Sequence, residues 1–306
     1  MATPNRTIQQ KADMEVADLI ADGGYLQDEQ ANRFIMDMIE ESVVLKMIDV
    51  RGLKSHTQLI DNVGITGFVL KPGTSGQALA EADRTKPGTT QRTLLTHLMK
   101  GEIDLNDEVL EDNIEGGNFK NTVRMMMAEH VALDMDNVCV NGDTAGATGT
   151  ILDLIDGMIK SATAHVVAGG TVAINKTMLK NAVKAMPKRF NRTKRMQRFM
   201  TSDDAETDYR DYLADRATIL GDKFLQDDVP VRYAGRPILP VPVFPDNLGV
   251  GTDETVVLLM DPKMARWGVW RKVKFETDRD VRTGEWIMVA TVRAGFKYKD
   301  EDAVVK

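Results

Sequence analysis

The chain has 306 residues, 42% of them hydrophobic and 28% charged, a balance that supports one large domain or two moderate ones and excludes intrinsic disorder. A net charge of −7 argues against nucleic-acid binding by bulk electrostatics, and a single cysteine, Cys139, excludes an internal disulfide framework and every multi-cysteine metal site. No apolar run approaches the ~20 residues of a membrane helix and the N-terminus has no signal-peptide core, so the expectation is a soluble protein of a reducing cytoplasm with no membrane partner.

In chain order, residues 1–24 are polar with weak helical spacing and end at Gly23-Gly24. Tyr25 to Ile48 reads as a helix carrying Phe34, Ile35, Met38, Ile39, Val43 and Leu45, followed by a strand-like LKMIDVRGL. An arm of this mixed character either lies along a neighbouring subunit or packs as an ordinary terminal helix. Two β-rich segments follow, Gln58 to Leu70 and Gln91 to Ile103. The polar tip between them, Lys71 to Thr90, is marked by Pro72-Gly73, Gly76 and Pro87-Gly88. An irregular loop of about twenty residues is uncommon inside a compact domain. A long β-hairpin reaching another molecule accounts for it, and a mobile surface loop is the alternative. Lys71, Glu81, Asp83, Arg84 and Lys86 give the tip charges of both signs, which suits reciprocal contact between copies.

Between Gly117 and Val140 the chain predicts one helix of six to seven turns, roughly 35 Å long, twice the usual length. Asn113 or Asn118 is placed to cap it, with Glu111, Asp112 and Glu115 near its positive end. Phe119, Val123, Met126, Met127, Val131 and Val138 approximate a buried stripe, and Lys120, Arg124, Glu129, Asp134 and Asp136 fall largely opposite. Asn141-Gly142-Asp143 ends the helix. Cys139 lies among apolar neighbours and reads as an inert buried thiol.

A second helix is expected from Gly149 to Val167 and another from Val172 to Met186, closed by Pro187. The densest basic run follows: Lys184, Lys188, Arg189, Arg192, Lys194, Arg195 and Arg198. The acids from Asp203 to Asp215 come next and would compensate it if the two segments pack together. A solvated or intersubunit charged face is therefore the preferred reading over nucleic-acid binding. RFMTS reads as a strand, and AETDYRDYLADRA as a helix with Tyr209, Tyr212 and Leu213 inward. The prolines 237, 240, 242 and 245 restrict VRYAGRPILPVPVFP to an edge or irregular strand. TVVLLMDP, RWGVWRKVKFETD and EWIMVATVRAGFKYK complete the chain as strands, with a turn at Thr283-Gly284.

No constellation supports catalysis. His56, His97, His130 and His165 lack metal-ligand spacing, and there is no GxSxG, Walker A or post-strand GxGxxG. GDTAGATG at 142–149 follows the end of a helix, whereas a phosphate cradle needs a helix N-terminus. The carboxylates of DEVLED at 107–112 read as solvated or capping. No catalytic, cofactor-binding or metal residue is assigned, and the chain is read as a non-enzyme.

LNDEVLEDN before the long helix and DMDNVCVNGD at its exit resemble the corresponding segments of tailed-phage major capsid proteins of the Hong Kong 97-type fold. Asp107, Glu108, Leu110, Glu111 and Asp112 stand in the first, and Asp136, Asn141, Gly142 and Asp143 in the second. The order of the remaining pieces extends the resemblance over nearly the whole chain. It implies an α+β fold with an N-terminal arm at 1–53, an extended β-hairpin loop at 54–103 and a peripheral domain with the spine helix at 104–164. An axial domain at 165–254 and a return to the peripheral strands at 255–306 complete it.

The resemblance further implies a major capsid protein that self-assembles into hexamers and pentamers. These form an icosahedral shell around double-stranded DNA, held without sequence-specific binding. The implied location is the virion capsid, with assembly in the host cytoplasm. The implied partners are other copies of the chain, a separate scaffolding protein, a portal and a decoration protein. Because the chain enters the arm almost at once, the expectation is a separate scaffolding protein or a processed form of the chain. Lys188, Arg189, Arg192 and Arg195 fall in the axial part as candidate intersubunit contacts, beside those of the hairpin tip. Some family members crosslink through a loop lysine, an asparagine and a glutamate. Lys71 and Lys86 lie in the loop without matching partners, so no crosslink is expected. An encapsulin-type nanocompartment shell enclosing a cargo enzyme is the alternative, and an ordinary cytoplasmic binding protein or enzyme is the third reading.

Overall fold

The computed structural model describes residues 42–65, 68–73, 75–106, 119–146, 149–170, 173–214, 230–246, 248 and 254–306. The expected helix over most of 25–48, the helix-capping residues 111–118 and the carboxylates of 107–112 lie outside these. The chain divides into two compact units. One comprises 1–42, 98–135 and 271–294, and the other 43–97, 136–270 and 295–306.

The first described elements are α1 (Val44–Met47), β1 (Asp49–Gly52), β2 (Thr57–Gly64), β3 (Gly88–Leu95) and β4 (His97–Asn106). The strand-like reading of 45–53 thus begins as a turn of helix, because Asp136 supplies side-chain acceptors to its first amides. The segment 91–103 is two strands rather than one. Thr96 separates them, its amide and hydroxyl both donating to the His56 carbonyl at 3.2 and 3.0 Å.

Next come α2 (Phe119–Asn141), α3 (Met158–Ser161), α4 (Lys176–Ala185), β5 (Arg198–Thr201) and α5 (Asp203–Ala214). The 23-residue α2 is the expected long helix, but its buried stripe is shifted. Met127, Ala132, Met135, Val138 and Cys139 are buried and keep a helical period, whereas Met126 is 52% exposed. Asp136, expected on the solvent side, is fully buried. Burial pushes the Cys139 thiol well above its ordinary pKa, and the nearby Asp136 carboxylate adds to this, as an inert thiol requires.

The helix expected over 149–167 is absent. A 3₁₀ turn at Ile151–Leu154 and the four-residue α3 take its place. Gly157 donates to the Gly142 carbonyl at 2.8 Å, and side chains of this segment accept from nearby amides, Asp153 from Gly149 and Asp156 from Thr144 in the preceding turn. Such side-chain turns compete with helix formation. Asn175 caps α4 by accepting from Thr177 and Met178.

The chain closes with β6 (Arg232–Tyr233), β7 (Arg236–Pro240), β8 (Leu258–Met260), β9 (Ala265–Asp280), β10 (Glu285–Tyr298) and β11 (Val304–Val305). The turn at Thr283-Gly284 forms as expected, with Gly284 at φ 71°.

Strand order is β1-β9-β10-β4 in one sheet and β11-β8-β5-β7-β6 in another. The proline-rich β7 is therefore internal, not an edge. It pairs parallel with β5 and antiparallel with the two-residue β6. The missing proline donors are tolerated because Ile238 and Val241, which retain theirs, donate to Val231 and Thr201. Against this sheet α4 and α5 bury Leu179, Met186, Ala205, Tyr209 and Leu213 with Phe199, Val231, Ile238, Leu259 and Val305. Tyr212, expected inward, is exposed and stacks on Tyr209 at 6.0 Å between ring centroids. In the other unit β10 alternates buried Met288, Ala290, Val292 and Ala294 with half-buried residues, the period of a strand with one core face.

Candidate functional site

The antiparallel pair β2–β3 runs in unbroken register from Thr57↔Leu95 to Gly64↔Gly88. Of its apolar side chains, Ile60 and Leu94 are buried, against Leu53 and Trp270. At the base, Thr96 uses its only hydroxyl proton on the His56 carbonyl, so the 2.9 Å contact between His56 Nδ1 and Thr96 Oγ1 is donated by the ring. The His56 ring also lies 5.6 Å from that of Trp270. Gly268 makes room here, since a Cβ would fall 2.7 Å from Leu53 Cδ1 and 2.8 Å from Leu94 Cδ2.

A polar knot ties the same strands to the C-terminal turn Glu301–Ala303. Asn62 Nδ2 donates to Asp300 Oδ2 at 3.1 Å, and Arg92 pairs with Glu301. Arg189 donates from Nη2 to Asp300 at 3.1 Å and to Asp302 at 2.6 Å.

Beyond Gly64 the surface changes character. Ile65, Val69 and Leu70 are exposed beside Val63, with Phe68 89% and Leu70 90% accessible. A group of large apolar side chains in water is unusual for a lone subunit. Sequence reading missed this because it treated Gln58–Leu70 as one strand and assigned the tip's purpose to charges. The signal was an apolar stretch, GITGFVL, with no partner stretch of like composition across the hairpin.

Lys71, Glu81, Asp83, Arg84 and Lys86 are all exposed in that tip. Glu81 and Asp83 lie on a 3₁₀ turn, and Arg84 Nε donates to the Leu79 carbonyl at 3.2 Å. In the basic run Lys188, Arg189, Arg192 and Arg195 are likewise exposed. Arg189 finds its carboxylates at the C-terminus of the chain, not in the acidic segment that follows the run.

An apolar cavity of about 220 Å³ lies among Val166, Val167, Met178, Ala182 and Val257. Among the described residues no group of three His, Cys, Asp or Glu side chains could hold a metal ion. Arg236, buried with no carboxylate partner among the described residues, donates to Gln197 at 2.7 Å and Asn191 at 2.9 Å, and burial lowers its pKa. These amides fix a structural cation.

Comparison with known proteins agrees with the architecture. The family model described as the phage capsid family matches residues 23–306. The prophage-capsid relative YqbE of Bacillus subtilis (strain 168) is 31% identical over 306 residues, covering 99% of this chain and 97% of its own length. Among solved structures, the satellite phage P4 procapsid superposes with a TM-score of 0.66 at 10% identity, covering 97% of this chain and 96% of its own. The capsid of a native GTA particle gives 0.61 at 14% identity, covering 88% of both chains. The SrpI encapsulin of Synechococcus elongatus PCC 7942 gives 0.58 at 10% identity, covering 85% and 84%, a likeness of fold alone. The chain is a capsid protein of the phage capsid family, with the α+β Hong Kong 97-type fold.

Proposed function

We propose that this chain is the major shell subunit of a tailed-phage particle, assembling into hexamers and pentamers that close an icosahedral shell around double-stranded DNA. Family membership with a prophage relative supports the phage reading over a nanocompartment enclosing a cargo enzyme. The observation that supports self-assembly is the exposure of Ile65, Phe68, Val69 and Leu70, which a protein acting alone would not keep in water. Residues 1–53 act as the arm, 54–103 as the extended loop, 104–164 and 255–306 as the peripheral part and 165–254 as the axial part. Lys71, Glu81, Asp83, Arg84 and Lys86 act at the loop's contacts with neighbouring copies, and Lys188, Arg189, Arg192 and Arg195 at axial ones.

A net charge of −7 suits a wall that must release its DNA, because each phosphate contact adds an attraction that ejection must overcome. Assembly takes place in the host cytoplasm with a separate scaffolding protein and a portal, and a decoration protein binds the outside of the shell. The role is structural, without a reaction. The test is negative-stain microscopy and sedimentation of the protein expressed alone and with its scaffold. Rings, tubes or shells are expected, with DNA inside particles taken from lysogens. A stable monomer or dimer in both conditions overturns the proposal, and a protein cargo in place of DNA selects the nanocompartment.

A further inference from the structure

Two surfaces of opposite charge stand in the same unit without meeting. On α5, Asp204, Asp208 and Asp211 follow at i, i+4 and i+7, the spacing that places them on one helical face, and all three are exposed. Buried Ala205, Tyr209 and Leu213 mark the opposite face, which packs on the sheet. Just before β5, Lys188, Arg192 and Arg195 are exposed around the 3₁₀ turn Phe190–Thr193. The neighbouring basic residue Arg189 is held by Asp300 and Asp302. Among the described residues none of the other six has an ion-pair partner.

Among the described residues the basic run and the acids of α5 therefore do not pair with each other, and each leaves a group of exposed charges of one sign. A chain that carries both patches is complementary to itself, either twice over about a two-fold axis or once per contact in a heterologous arrangement, which closes into a ring when the rotation between copies permits.

Resting on the proposed capsomer-forming role, we propose that Lys188, Arg192 and Arg195 of one copy face Asp204, Asp208 and Asp211 of the next around the ring. Exposed pairs contribute little affinity each. Their effect is on register and encounter: like-charge juxtaposition rejects wrong alignments and opposite charge speeds the right one. The same geometry explains why both patches must lie on every copy.

Charge reversal tests this with two variants of the full chain. Arg192→Glu with Arg195→Glu gives copies acidic on both surfaces, and Asp204→Lys with Asp208→Lys gives copies basic on both. Native mass spectrometry and negative-stain microscopy read the assemblies, and circular dichroism with a thermal melt confirms that each variant is folded. Each variant alone is expected to lose capsomers at least tenfold at low salt, and one chain carrying both reversals is expected to recover them. Mixing the two variants makes a sharper demand. Copies must then alternate, so only rings with an even number of members close, and hexamers return while pentamers do not.

Folded single variants that form rings at wild-type levels overturn the inference while leaving the capsomer reading intact. So do failure of the combined reversal to rescue and equal recovery of pentamers in the mixture. Absence of rings from the wild-type protein, with and without scaffold, removes the proposed function and this inference together.

Discussion

The carboxylate of Asp136 accepts a hydrogen bond from the amide of Val43 at 2.8 Å, joining residues 93 positions apart in the chain. The same carboxylate takes the amides of Val44 and Leu45, each at 3.2 Å. These are the first donors of α1, which have no partner within so short a helix. A buried charge is tolerated here because three donors replace its water. Asp136→Ala leaves these donors unpaired and is expected to cost about 3 kcal/mol or more. Asp136→Asn, which keeps one acceptor oxygen, should cost less. Urea unfolding of the unassembled subunit measures both, and a loss within error for the alanine variant would remove this role.

Asp49 carries a pH dependence. Burial alone would raise its carboxyl, but hydrogen bonds from Lys299 and Arg51, the charge of Lys299 and a hydrogen bond from Arg266 outweigh it and bring the pKa from 3.8 to about 2. Lys299 Nζ lies 2.7 Å from the carboxylate and Arg266 Nη2 3.2 Å. The folded pKa is the lower one, so the stabilisation is complete above about 3.8 and is lost as pH falls through about 2. The difference in urea midpoint between wild type and Asp49→Asn should be constant near neutral pH and shrink as pH falls from about 4 to about 2. A difference that persists unchanged at the acid end contradicts the assignment.

Gly157 is fixed by the backbone it meets. A Cβ there would lie 2.7 Å from the Gly142 amide nitrogen and 2.8 Å from the carbonyl oxygens of Cys139 and Val140. None of these atoms can swing aside as a flexible side chain would. Gly157→Ala should destabilise the subunit by about 3 kcal/mol, at the upper end of ordinary overpacking. Gly149→Ala serves as a contrast: it meets nothing within 4 Å and carries only the strain of φ 66°. Thermal melts of the two variants side by side should rank Gly157 well below Gly149, and equal melts would dismiss the close approach.

The hairpin gives the opposite expectation. Phe68→Ser and Leu70→Ser remove side chains that touch almost nothing within the subunit. Subunit stability should stay within about 0.5 kcal/mol of wild type, as for surface changes in general. Closed particles in sedimentation and microscopy should fall sharply. Normal shells from the double variant would remove the docking role of this run.

How much of this was legible in the sequence varied with the range of the forces involved. The long helix, its stop at Asn141-Gly142, the turn at Gly284 and the strands of the last fifty residues follow from local periodicity and turn chemistry, and they formed. The assignment of Asp136 to solvent failed because helical periodicity treats every charge as outward, while its partners are Val43, Val44 and Leu45 from far up the chain. The helix expected over 149–167 failed for a related reason. Apolar spacing favoured it, but Gly142, Gly157 and the Asp153 and Asp156 turns favour a tight irregular path. Lys71, Glu81, Asp83, Arg84 and Lys86 are exposed, as charged turn residues usually are. The apolar run at 65–70 was not legible as exposed, because composition cannot say whether an apolar segment is satisfied at home or elsewhere.

That last feature separates two kinds of selection acting on one chain. Residues such as Met127 or Tyr209 are judged whenever the polypeptide folds, whereas Phe68 and Leu70, in the role proposed for them, are judged only when copies come together. A mutational survey that scores cellular abundance should pass over the hairpin's apolar run in silence. The same library scored for infectious particles should show it among the least tolerant segments of the protein.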